Sequence, residues 1–113
     1  MMRFDVSDRD GVLVVTLEGD AMGGPDGSAL LDRLHALRQE GRRNVVADLG
    51  GLQAMNSSGL GMLIAALSSV RNGGGDLRLA RVGDRVRQLL SITKLSAVFR
   101  QFPTVDEAAD SFG

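Results

Sequence analysis

The chain has 113 residues, 43% of them hydrophobic and 24% charged, with a formal charge of -1; this is the profile of one ordinary globular domain, not of a disordered chain. It has no cysteine and a single histidine, His35, which removes disulfides, thiolate chemistry and any paired-histidine metal site. A balanced charge with no Trp and no Tyr supplies neither the basic excess nor the stacking platforms of a nucleic-acid binder, so no direct nucleic-acid contact is expected.

Residues 2–7 and 12–18 read as two strands, the second an almost unbroken β-branched run, Val12-Leu13-Val14-Val15-Thr16-Leu17. Asp8-Arg9-Asp10-Gly11 between them is turn chemistry and predicts a hairpin. Gly19-Asp20 closes it, Asp20-Ala21-Met22 can add a short strand, and Gly23-Gly24-Pro25-Asp26-Gly27 reads as a loop. A helix is predicted over 26–40 from the stripe Leu30, Leu31, Leu34 and Leu37, with Gly41 at its C′ position. Residues 44–49 form a buried strand, and Gly50 to Met55 a short connection. The second helix is predicted over 57–72, with Leu60, Leu63, Ile64, Leu67 and Val70 inward, ended by Gly73-Gly74-Gly75. A period-two strand follows over 76–82, then a helix over 84–92, a short strand over 97–101 and a helix over 104–111 capped by Thr104. Alternating strands and helices after an opening hairpin predict an α/β fold with a small mixed sheet, in one domain spanning 1–113.

The N-terminus lacks the apolar core of a signal segment. The uncharged stretch Leu49 to Val70 holds four Ser, four Gly, Gln53 and Asn56, a poor membrane span. A soluble, cytoplasmic domain without membrane insertion is expected.

Enzyme chemistry finds little support. Ser57, Ser58, His35 and Asp48 supply the residue types of a serine hydrolase, but Met55-Asn56-Ser57-Ser58-Gly59-Leu60 is not a G-x-S-x-G elbow. The glycine clusters at 23–27 and 73–75 lack the spacing and the lysine of a phosphate loop. No catalytic residue, metal or cofactor is assigned.

The informative element is the second helix. The face opposite its leucine stripe would be Gly59, Met62, Ala65, Ala66 and Ser69, without a charge. Such a face either accepts a partner protein or is buried by its own domain; both readings are open. At the helix start, Ser57 and Ser58 stand where backbone N–H groups lack partners. They could simply cap the helix, and Ser58, followed by Gly59, is the expected N-cap. Alternatively, one accepts a phosphate, which the helix dipole and free N–H groups would tolerate while it adds about -1.5 to -2 charges to a neutral surface.

Asp48-Leu49 followed by Met55-Asn56-Ser57-Ser58-Gly59-Leu60-Gly61-Met62-Leu63 resembles the signature of STAS domains, and more narrowly of bacterial anti-sigma factor antagonists. The similarity continues in Val12 to Gly19-Asp20, in Gly73 to Val82, and in Val86-Arg87-Gln88-Leu89-Leu90 through Phe102-Pro103-Thr104-Val105-Asp106-Glu107-Ala108. The resemblance implies a small mixed sheet packed with helices, and a non-enzymatic protein that captures an anti-sigma factor serine kinase. It also implies phosphorylation by that kinase to end the capture and a phosphatase to reset it. By motif position the phospho-acceptor is Ser57, and the implied partner surface is Asp20, Met22, Asn56, Ser57, Ser58, Gly59, Met62 and Ala66. The acid usual before the acceptor is Asn56 here, and Met22 stands where a second acid is common. An accessory subunit of a lipid ABC transporter, or a non-phosphorylated signalling scaffold, is the alternative within the same family.

Overall fold

Asp10 and Gly11 both take positive φ, 51° and 89°, the two-residue turn that matches the twist of a hairpin. The turn joins β1 (Met2–Arg9) to β2 (Val12–Ala21) in antiparallel register, with Arg9 opposite Val12. The computed structural model describes residues 2–113. After the hairpin come α1 (Pro25–Gln39), β3 (Asn44–Met55), α2 (Ser57–Asn72), β4 (Asp76–Ala80), α3 (Asp84–Ile92), β5 (Gln101–Phe102) and α4 (Val105–Asp110). The five strands form one sheet in the order β1-β2-β3-β4-β5, and every pair after the hairpin is parallel. The mixed α/β sheet expected from the sequence is therefore present.

Strand alternation sends side chains to two faces. Leu13, Val15 and Leu17, with Val45, Ala47, Leu49, Leu77 and Leu79, join Leu30, Leu34, Leu37, Leu60, Leu63, Leu67, Val86 and Leu90 in the main core. So α1, α2 and α3 cover one face. Val12, Val14, Val46 and Ala80 point the other way, against Ala108 and Ala109 of α4. The caps foreseen at two helix ends are found: Thr104 accepts from the Glu107 N–H at 3.0 Å, and Gly41 follows α1 with φ 85°.

Several boundaries differ from the sequence reading, including β1, which runs on to Arg9 because Ser7, Asp8 and Arg9 pair with β2 up to the turn. Helix α1 starts one residue earlier, at Pro25, whose missing N–H costs nothing in a first turn. Strand β2 continues to Ala21 and β3 to Met55, because their tails pair in parallel, Asp20 with Ala54 and Ala21 with Met55. Residues 50–55, expected to be a connection, are thus strand. Strand β4 stops at Ala80, not 82, since Arg81 turns to φ 55°. The short strand expected over 97–101 is reduced to Gln101–Phe102, because 96–98 form a turn in which the Val98 N–H donates to the Leu95 carbonyl and Phe99 drops into the core.

Candidate functional site

Parallel pairing brings the ends of β2 and β3 to one edge of the sheet, and α2 starts there. The Asn56 N–H donates to the Ala21 carbonyl at 3.2 Å, joining the β2 tail to the helix entry. Asn56 has extended backbone, φ -107° and ψ -176°, and its side-chain oxygen accepts from the Gly59 N–H at 2.8 Å. Asn56 is therefore the N-cap, which corrects the assignment to Ser58. The cap needs an acceptor three residues ahead of the N–H it serves, and Asn56, not Ser58, precedes the first helical residue, Ser57. Asn56→Ala should cost about 0.5–2 kcal/mol and Ser58→Ala under about 0.5 kcal/mol, as read by urea denaturation.

Gly59 is packed against the β2 tail so closely that a Cβ on it would lie 1.9 Å from the Ala21 carbonyl oxygen. No other residue fits, and the approach fixes the helix start against the sheet. At the other end of α2, a Cβ on Gly75 would lie 1.8 Å from the Arg43 carbonyl oxygen.

The structure gathers Asp20, Met22, Asn56, Ser57 and Ser58 at this edge. Asp20 is half-buried; Asn56, Ser57 and Ser58 are exposed, and Gly23 lies against Ser58. Met22 is 45% exposed, and among the described residues only Ile92 is another exposed large apolar side chain. Between Ser58 and Arg71 the exposed residues of α2 are Gly61, Ala65 and Ser68, which follow Ser57 at spacings of three or four and so lie on one side of the helix. The first charge C-terminal to this stripe is Arg71.

Gly59, Met62 and Ala66 do not belong to that surface. Met62 is 6% and Ala66 1% exposed, and Gly59 is buried under the β2 tail. Met62 packs against α1, where a Cβ on Gly27 would sit 3.1 Å from its sulfur. The expected outer face is thus two faces: Met62 and Ala66 turn toward α1, and Ala65 turns to solvent. Of the two readings left open for this helix, burial by its own domain holds for Met62 and Ala66. The three partner assignments at Gly59, Met62 and Ala66 are corrected accordingly.

The backbone at the helix entry has unused capacity. The first α2 hydrogen bond is Leu60 N–H to the Asn56 carbonyl, 2.9 Å, and Asn56 serves Gly59. This leaves the N–H groups of Ser57 and Ser58 without a protein acceptor among the described residues. They and the positive end of the helix dipole can hold an anion or a serine phosphate without unwinding the turn.

The STAS domain model matches residues 3–108. The chain belongs to the STAS domain family. Among curated relatives, a candidate anti-sigma factor antagonist of Bordetella bronchiseptica, BtrV, is 28% identical over 98% of this STAS chain and 95% of its own length. The crystal structure of an anti-sigma factor antagonist from Mycobacterium paratuberculosis superposes with a TM-score of 0.81 at 26% identity, covering 98% of this chain and 93% of that one. The Bacillus cell fate determinant SpoIIAA in its phosphorylated form gives a TM-score of 0.76 at 17% identity, covering 98% and 100%, and shows that the fold is shared.

One feature of this chain escaped the sequence reading. Asp48, only 5% exposed in the middle of β3, receives two hydrogen bonds of 2.8 Å from Arg81, at Nε and Nη2, and a third from the Gly50 N–H at 3.0 Å. The Arg81 guanidinium lies over Gly50, where a Cβ would be 2.4 Å from its Cζ. The hydrogen bonds and charge of Asp48 raise the Arg81 pKa further above its ordinary value. The available signal was an aspartate inside the apolar run Val45-Val46-Ala47-Asp48-Leu49, which requires a buried partner. Nothing in the sequence pattern named Arg81 as that partner. His35, weighed earlier as a hydrolase base, is exposed on α1, with Nε2 3.4 Å from Gln39 Nε2.

Proposed function

We propose that this STAS chain is an anti-sigma factor antagonist that captures a kinase-type anti-sigma factor and releases it when Ser57 is phosphorylated. The observation that carries the reading is an exposed surface of uncharged residues, Met22, Asn56, Ser57, Ser58, Gly61 and Ala65, around the α2 start, with the half-buried Asp20 at its edge. Exposed apolar area next to small side chains fits a protein partner closely. A phosphate in its centre would add about -1.5 to -2 charges that the partner must desolvate or repel. Every 1.4 kcal/mol of that penalty is tenfold in affinity, so roughly two such factors are within reach of one phosphate. The fold need not change, because the helix entry is pinned by Asn56 and Gly59. The names of the relatives support the antagonist reading, and SpoIIAA has been described in both an unphosphorylated and a phosphorylated form. Ser57 is favoured over Ser58 by its place in the motif.

The test incubates the protein with a kinase-type anti-sigma factor and ATP, maps the phosphate by mass spectrometry and measures binding by calorimetry. Ser57→Ala is expected to bind as the unmodified protein does and to resist modification. Ser57→Asp is expected to bind about tenfold or more weakly, since it brings one charge where a phosphate brings nearly two. Phosphate on Ser58, or a stable transporter subunit as the partner with neither serine modified, would overturn the proposal. A phosphatase that acts on the modified form completes the cycle.

A further inference from the structure

The C-terminal edge of the parallel strands carries a second feature, independent of the Ser57 surface. At the ends of β4 and β5, Arg81, Val82, Arg87, Gln101, Phe102 and Pro103 line a cavity of about 450 Å³, within the size range of small-molecule sites. In open sheets of this kind, ligands bind beyond the carboxyl ends of the strands. The charge around it is one-sided. Residues 81–103 hold Arg81, Arg85, Arg87, Lys94 and Arg100 against Asp84 alone, in a chain whose total charge is -1.

The two lining arginines are held in place before any ligand arrives. Arg81 is fixed through Nε and Nη2 by the buried Asp48 carboxylate, yet its side chain is 51% exposed. Its Nη1 has no acceptor among the described residues. Arg87 donates from Nη2 to the Val82 carbonyl at 3.1 Å, and its Nη1 reaches the Asp84 carboxylate only at 3.5 Å. Asp48 and Asp84 offset part of the charge of Arg81 and Arg87, and the nearby Arg100, whose guanidinium lies 5.5 Å from the Phe102 ring centre, leaves the surroundings net positive. Two anchored guanidinium groups with free N–H donors match the oxygens of a phosphate better than a single-point cation would. The Phe102 and Pro103 side offers an apolar wall for the group that the phosphate is attached to.

We propose that this cavity is a binding site for a small phosphate monoester, with Arg81 and Arg87 holding the phosphate and Phe102 beneath its organic part. The probe is phenyl phosphate, titrated into the labelled protein at constant ionic strength and followed by amide and arginine Nε–H NMR signals. Saturable shifts are expected at Arg81, Arg87, Gln101 and Phe102. Benzoate, a monoanion of similar shape, is expected to bind about tenfold or more weakly, because it offers fewer charge-assisted hydrogen bonds. Arg87→Met should weaken phenyl phosphate by about tenfold or more with an unchanged melting temperature, since this side chain is mostly exposed. Arg85→Met, outside the lining, should change affinity less than about twofold. Inorganic phosphate that binds equally well would assign the site to the free anion and overturn the role of Phe102. Shifts that never saturate, equal binding of benzoate, or equal loss in Arg85→Met would mean an adventitious ion only and would overturn the site.

Discussion

Ala66→Glu should destroy the cooperative fold at neutral pH. Ala66 is 1% exposed, one helical turn beyond Met62 on the side of α2 that faces α1. An unpaired buried charge costs several kcal/mol, and the volume of Glu adds about 1–3 kcal/mol of overpacking, against a typical total stability of roughly 5–15 kcal/mol. The sign of the pH response follows. Burial would raise the folded-state pKa of the new carboxyl, so the penalty is full above that pKa and shrinks as pH falls toward the ordinary glutamate range of about 4.3. Ala65→Glu, one residue away and exposed, should stay within about 0.5 kcal/mol of the parent protein while weakening anti-sigma factor capture. Circular dichroism melts of the two variants separate them. A well-folded Ala66→Glu protein would mean that α1 does not seal this face.

Arg81→Ala should be the other severe substitution, at about 3–5 kcal/mol, because it leaves the Asp48 carboxylate buried without its partner. The half-exposure of Arg81 places it toward the lower end of that range. Removing both charges, as Asp48→Ala with Arg81→Ala, should recover part of the loss, since no buried ion then remains. Urea denaturation of the two singles and the double variant gives the coupling directly. A loss below about 1 kcal/mol in Arg81→Ala would show that water replaces the guanidinium.

What the sequence disclosed and what it withheld divide along physical lines. Helices α2 and α3 have the bounds expected from periodicity and glycine breaks, 57–72 and 84–92. The hairpin turn at Asp10-Gly11 is local chemistry and was legible for that reason. The tail of β3 was not, because Gly50-Gly51 carry no strand propensity. They are strand because the β2 tail pairs with them across two register shifts, between Asp48 and Gly51 and between Leu52 and Ala54. Met62 and Ala66 were misplaced because α2 is apolar or small on nearly every side. The leucine stripe names the side that faces the sheet, but only the crossing of α1 decides which remaining side is covered. The serine surface was legible as a motif, whereas its cap at Asn56 required the backbone angles. Arg81 was hidden because its partner Asp48 is 33 residues away in sequence.

The two close approaches at the ends of α2 also govern how the chain can change in length. Gly59 rests on the Ala21 carbonyl and Gly75 on the Arg43 carbonyl, backbone against backbone with no side chain between. The helix from Gly59 to Asn72 advances about 20 Å at 1.5 Å per residue, Gly73 and Gly74 then turn the chain to the second contact at Gly75, and the distance between the contacts is set by neighbouring strands. One inserted residue would turn one end of the helix by about 100° relative to the other and break one contact or the other. Insertions and deletions are therefore shut out of α2 and its two junctions. They are confined to places where no such fit exists, such as the hairpin tip at Asp10-Gly11 and the exposed parts of 93–100. Across relatives, the count of residues between these two glycines should hold constant while the outer loops drift.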